Sequence, residues 1–168
     1  MPLQLDRETG YLAPSPEFHD ATADELRDHF VQPYDQLNRR HLIWGAYVAH
    51  RATLARLLES VGIEQWIDGS FTTTKPDAND VDFASFVGAE HLRALPVGAR
   101  AEARDLFQGP LTHPDRVLDS YLVVVETDAN GQESAATRKS RDYWRRWFGH
   151  DRFGTPKGIA RTMVGGAE

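Results

Sequence analysis

The sequence predicts an α/β (α+β) chain, a mixed sheet of about four strands flanked by helices. Three stretches carry that prediction. Val117 to Glu126, VLDSYLVVVE, is a β-branched and aromatic run between a His113-Pro114 loop and an Asp128–Gly131 turn, which reads as a strand. From about Asp35 to Ser60, the residues Leu37, Trp44, Tyr47, Val48, Leu54, Leu57 and Leu58 recur mostly at three- and four-residue steps, the pattern of a helix turning one face to a core. Glu64–Asp68 and Val81–Val87 are two short apolar runs separated by a polar loop, a pair of strands around a turn.

In chain order, residues 1–20 carry Pro2, Gly10, Pro14 and Pro16 with little periodicity and read as an irregular arm. Its Leu3, Leu5, Tyr11, Leu12 and Phe18 are apolar enough to pack on the adjoining domain, residues 21–168. Thr22-Ala-Asp-Glu25 has capping-box spacing and starts a short helix running to about Val31, before Pro33 interrupts. The long helix comes next, closed by Gly62. After the two strands comes a helical stretch broken at Pro96, clearest from about Val97 to Phe107, then the Val117–Glu126 strand. Thr137–Phe148 reads as a helix ended by Gly149, and Gly158–Val164 as a last strand.

Composition narrows the classes of function. The chain has 168 residues, 40% apolar and 26% charged, which is material for one globular domain with a hydrophobic core. Its apolar runs are far too short for a membrane span, and no basic-then-apolar leader opens it. Cysteine is absent, which removes disulfides, thiolate zinc sites and cysteine nucleophiles and fits a cytoplasmic location. A net charge of −6 argues against a general polyanion-binding surface but leaves room for a local basic patch. The seven histidines show no HExxH or closely paired spacing, so a zinc enzyme is not expected. P-loop, dinucleotide-fold and serine-elbow motifs are absent as well.

The chemistry concentrates in Trp66–Val87, WIDGSFTTTKPDANDVDFASFV. Side chains alternate along a strand, so Asp80 and Asp82 share a face, opposite Val81 and Phe83. Two parallel carboxylates facing a Gly69-Ser70 turn suit a divalent cation that also carries a phosphate, since Mg2+ takes oxygen ligands from one or two carboxylates and from substrate phosphates. Ser70 can donate its hydroxyl to a phosphate oxygen. A third carboxylate is expected from the Val117–Glu126 strand. Asp119 sits between apolar residues and is preferred; Glu126, seven residues on and therefore on the opposite face, is the fallback. In Asp80-Val81-Asp82 alone the bland reading would be a loop cap followed by a solvent-facing strand residue.

Gly69-Ser70, the loop 71–79 and Asp80-Val81-Asp82 resemble the signature of the polymerase-β-type nucleotidyltransferase superfamily. The wider frame resembles a family of small uncharacterised bacterial proteins with a nucleotidyltransferase-like fold. Its marks here are Trp66–Phe71, Lys75–Asp82, Tyr143-Trp144 and Lys157-Gly158, over roughly residues 21–164. The resemblance implies a nucleoside triphosphate held by Gly69 and Ser70, Mg2+ on Asp80, Asp82 and Asp119, and transfer of a nucleotidyl group to a protein, RNA or small-molecule acceptor. It also implies a toxin–antitoxin or defence setting, with a non-catalytic module that docks a partner protein as the alternative. Many active members follow Gly-Ser with a small residue, an arginine and a glycine; this chain has Phe71-Thr-Thr-Thr-Lys75-Pro76. Lys75 would replace the arginine as a point charge on phosphate, without its bidentate geometry. Lys157 would bring a second ammonium to the nucleotide, or form a simple turn into the last strand.

The helix with Arg138, Lys139, Arg141, Arg145 and Arg146 also carries Tyr143, Trp144 and Trp147. Aromatic residues at helical spacing are ordinarily core and the charges opposite them solvated; the alternative is a nucleic-acid contact.

Overall fold

A computed structural model describes residues 2–59 and 61–165. Its elements in chain order are β1 (His19–Asp20), α1 (Ala23–Phe30), α2 (Arg39–Leu57), β2 (Ile63–Asp68), β3 (Val81–Gly88), α3 (Ala89–Ala94), α4 (Val97–Asp105), β4 (Leu118–Val125), α5 (Ala135–Phe148) and β5 (Ala160–Val164). The strands form one mixed sheet in the order β1-β5-β2-β3-β4. β2 runs antiparallel to both β3 and β5, while β3 and β4 are parallel, joined by a crossover through α3 and α4. The four expected strands are all present, and the fifth, β1, is the two-residue end of the N-terminal arm pairing with β5.

Local signals explain the helix starts. The Thr22 hydroxyl accepts from the Glu25 amide at 3.2 Å and the Glu25 carboxylate accepts from the Thr22 amide at 2.8 Å, a complete capping box. The Asn38 and Ser134 side chains cap α2 and α5. α2 is shorter than its periodicity suggests; the expected end at Ser60 lies outside the described residues. Its buried face is Arg40, Ile43, Tyr47, His50, Leu54 and Leu57, whereas Leu37 and Val48 are exposed. Two polar residues inside that stripe hide its register from a count of apolar positions.

Alternation along the strands divides the core in two. One sheet face carries Ile67, Val81, Phe83 and Leu118, packed under α1 and α2, and Ile63 and Val87 under α2, α3 and α4. The other carries Trp66, Ala84, Phe86 and Val123 under Phe148 and Trp144 of α5. The arm folds back on the domain: Leu12 is buried, Leu3 and Leu5 pack on the first core, and Phe18 lies 4.6 Å from Trp66 between ring centroids. Among the described residues no helix is long and apolar enough to cross a membrane.

The loop after β2 is tied down rather than free. Phe71, Thr72, Thr73 and Ala78 are buried, while 74–77 and Asn79 face solvent. Beneath them the fully buried Arg40 guanidinium donates to the carbonyls of Phe30 (3.0 Å), Ser70 (3.1 Å), Phe71 (2.6 Å), Thr73 (2.9 Å) and Lys75. A planar fork with five N–H groups can serve several carbonyls at once, which an ammonium cannot.

Candidate metal and phosphate site

Three strands present an aspartate at the same level of the sheet. In the β2–β3 pair Asp68 stands opposite Asp82, and in the β3–β4 pair Asp82 is level with Asp119. Residues paired across neighbouring strands point to the same face, so the three carboxylates form one row on the face covered by α5. They lie beyond the end of that apolar cluster, where Trp66, Ala84 and Tyr121 are the next residues inward on each strand. Asp80, just before β3, adds a fourth carboxylate, close enough to Asp119 for that charge to disfavour its ionisation.

The row is crowded and partly screened from solvent: Asp68 is buried, and Asp80, Asp82 and Asp119 are half-buried. Burial comes first in pushing the Asp82 carboxyl up to about 7, and the charges of Asp80, Asp68 and Asp119 add to it. Burial likewise raises Asp68 to about 6, against the opposing pull of Lys157. The Lys157 ammonium donates to Asp68 Oδ2 at 2.6 Å, with both side chains almost wholly buried. Asp80 is raised by burial and Asp119, and the Arg39 guanidinium opposes that. Tyr121 borders Asp119, and burial followed by that carboxylate raises its hydroxyl pKa. Asp68 Oδ1 and Asp119 Oδ1 are buried with no protein hydrogen-bond partner among the described residues. Buried acceptors of this kind are rare, and an ordered water, an ion or a ligand is what ordinarily satisfies them.

Two glycines make room for the row. Gly69 has φ +83° and ψ −166°, a conformation open essentially to glycine alone. A Cβ there would stand 1.9 Å from Asp82 Oδ2, so the turn backbone lies directly against that carboxylate. On the far side Gly109, bridged to Ser120, would place a Cβ 3.3 Å from Asp119 Oδ1.

The structure therefore brings together Asp80, Asp82, Asp119, Gly69 and Lys157 from the sequence-derived set, with Ser70 half-buried beside them. Lys157 faces Asp68 rather than open space. Lys75 is exposed, its ammonium 5.9 Å from the Tyr11 ring centroid of the arm, and its carbonyl, not its charge, is what Arg40 engages. Glu126 lies at the other end of β4, exposed and 3.3 Å from Arg93. Sequence reasoning missed Asp68. No local signal identified it, since its place opposite Asp82 depends on the β2–β3 register across a long loop, and Tyr121 and Gly109 gave no cue either.

A divalent cation suits these donors: all are hard oxygens, two are orphaned, and negative charge exceeds the available cations. Among the described residues, however, no group of three or more histidine, aspartate or glutamate side chains is placed so that it could hold a metal ion as it stands.

Fold and site together define an α/β protein with an aspartate-rich centre at one end of a mixed sheet. The chain belongs to the DUF6932 family, a family of unknown function whose model matches residues 4–163. No curated protein and no solved structure matches the chain.

Proposed function

We infer that this protein is a magnesium-dependent nucleotidyltransferase-like enzyme acting on a nucleoside triphosphate. The observation that carries the reading is the Asp68–Asp82–Asp119 row, with Asp80 beside it and two carboxylate oxygens left without partners. Nucleotidyl transfer needs positioning and neutralised charge more than covalent help. Mg2+ bound at Asp80, Asp82 and Asp119 would neutralise phosphate charge and polarise the α-phosphorus. The chain's own residues supply the rest. Gly69 lets the turn backbone and Ser70 approach the phosphates, and Lys157 holds Asp68 in place. With Asp82 engaged as a ligand, the acceptor hydroxyl would give up its proton to solvent. In that transfer the acceptor oxygen bonds the α-phosphorus, the bond to the bridging oxygen breaks, and pyrophosphate leaves with the electron pair.

A second reading is a non-catalytic module that binds a nucleotide or a partner protein. Lys157 favours it, because an ammonium already neutralises Asp68. The loop 71–76 and the arm, however, spend Phe71 and Leu12 on the protein's own core, which leaves them less apolar surface for a partner. Transfer of radiolabel from α-labelled NTPs to protein, RNA or small acceptors, in lysate with Mg2+, separates the two. The enzyme reading requires labelled product with the wild type and none with Asp82→Asn; equal labelling, or none, rejects it.

A further inference from the structure

We propose that α5 carries a binding stripe for single-stranded nucleic acid, placed to deliver a strand to the carboxylate end of the sheet. The proposal names the acceptor class for the nucleotidyl-transfer reading, and it rests on that reading only for the chemistry after binding. α5 does more than cover the sheet. Its inner side gives Phe148 and Trp144 to the core, but Tyr143 is 51% and Trp147 64% exposed, and their rings stack at 6.3 Å with planes 12° apart. Two large aromatic rings side by side in solvent are more than the single exposed apolar residues that are ordinary on a surface.

Cations flank this pair. Lys139 lies one turn before Tyr143 and Arg146 one turn after it, both exposed. The stripe from Lys139 to Trp147 covers about 12 Å of helix. Arg146 bonds the Asp142 carbonyl at 3.3 Å, leaving its charge unpaired, while the exposed Asp142 is the one acid on the helix. Arg141 is ion-paired with Glu64 and Glu133, so the charges that α5 offers beside the ring pair are those of Lys139 and Arg146. Alternating stacking rings and free cations is how proteins hold unpaired strands: bases stack on rings while phosphates meet the charges. A duplex keeps its base faces stacked inside, and a membrane-surface helix needs a broad apolar face that two rings between charges do not make.

The stripe also connects to the site. Trp144, edge-on to Tyr143 at 5.4 Å, packs on Tyr121 at 4.7 Å, and Tyr121 borders Asp119. At the helix C-terminus the Lys157 amide donates to the Gly149 carbonyl at 2.9 Å, and the same lysine holds Asp68.

The test is fluorescence anisotropy of labelled single-stranded oligouridylate titrated with the full chain, without NTP or metal, alongside Trp emission. Wild type should bind saturably and quench Trp emission. Tyr143→Ala/Trp147→Ala should weaken binding by about tenfold or more, and Lys139→Glu/Arg146→Glu should weaken it and flatten its salt dependence. Because the titration contains neither NTP nor metal, failure of the metal-site reading would not touch this result. Absence of saturable binding, indifference to both double variants, or equal competition by duplex would overturn the proposal. So would a wild-type dimer in sedimentation that the aromatic variant dissociates, since the rings would then face a second copy, or binding of free UTP in place of the strand.

Discussion

Asp68 and Asp82 face each other directly across the antiparallel β2–β3 pair, and both carboxyls are raised, to about 6 and about 7. In the unfolded chain each would titrate near the ordinary aspartate value of 3.8. A folded pKa above the unfolded one means that the native state holds its protons longer, so this contribution to stability is full below about pH 4 and is lost as pH rises through about 6 to 7. In chelator, the protein should therefore lose stability over that window, and Asp82→Asn should lose less. Denaturation midpoints from pH 4 to 8 check this; parallel pH profiles for the two proteins would show that the carboxyls are not coupled.

His50 acts with the opposite sign. Its Nε2 bonds the Leu106 carbonyl at 3.0 Å, which puts the proton there and leaves Nδ1 buried without a partner. Burial lowers its pKa to about 4. The unfolded chain takes up this proton below about pH 6.5 and the native state only near 4, so stability falls as pH drops between them, by about 3 kcal/mol. In an Asp82→Asn background, where the carboxyl effect is reduced, His50→Gln should remove most of that acid slope. An unchanged slope would mean that the imidazole is not held neutral.

How much of this is legible in sequence depends on what each signal measures. Thr22–Glu25 and the β-branched run 117–126 are local signals, and the structure keeps α1 and β4 where they point. Asp80, Asp82 and Asp119 are legible because carboxylates among apolar strand residues stand out. Asp68 is not, because its membership of the row depends on β2–β3 register, which is a property of two strands at once. Arg40 and His50 escape for a related reason: a guanidinium and an imidazole on a core face look like solvent-side residues until their carbonyl partners are known.

Arg40→Lys tests the loop's support. One ammonium cannot serve five carbonyls, and the rest would be buried unpaired, so the variant should lose at least about 3 kcal/mol in urea denaturation. A loss within about 1 kcal/mol would mean that the loop re-pairs without the fork.

Gly69→Ala should keep the fold and lose the site. Its backbone conformation costs alanine about 1–3 kcal/mol, and the added Cβ would displace the Asp82 carboxylate. Native circular dichroism with abolished Mg2+-dependent thermal stabilisation is the expected result; retained stabilisation would separate the turn from the site.

The most direct measurement is a Mn2+ titration read by electron paramagnetic resonance, with and without ATP, on wild type and on Asp82→Asn and Asp119→Asn. A cation centre on the aspartate row predicts saturable Mn2+ binding by wild type that ATP strengthens and either substitution abolishes. Free Mn2+ signal throughout, or binding that survives both substitutions, would contradict it.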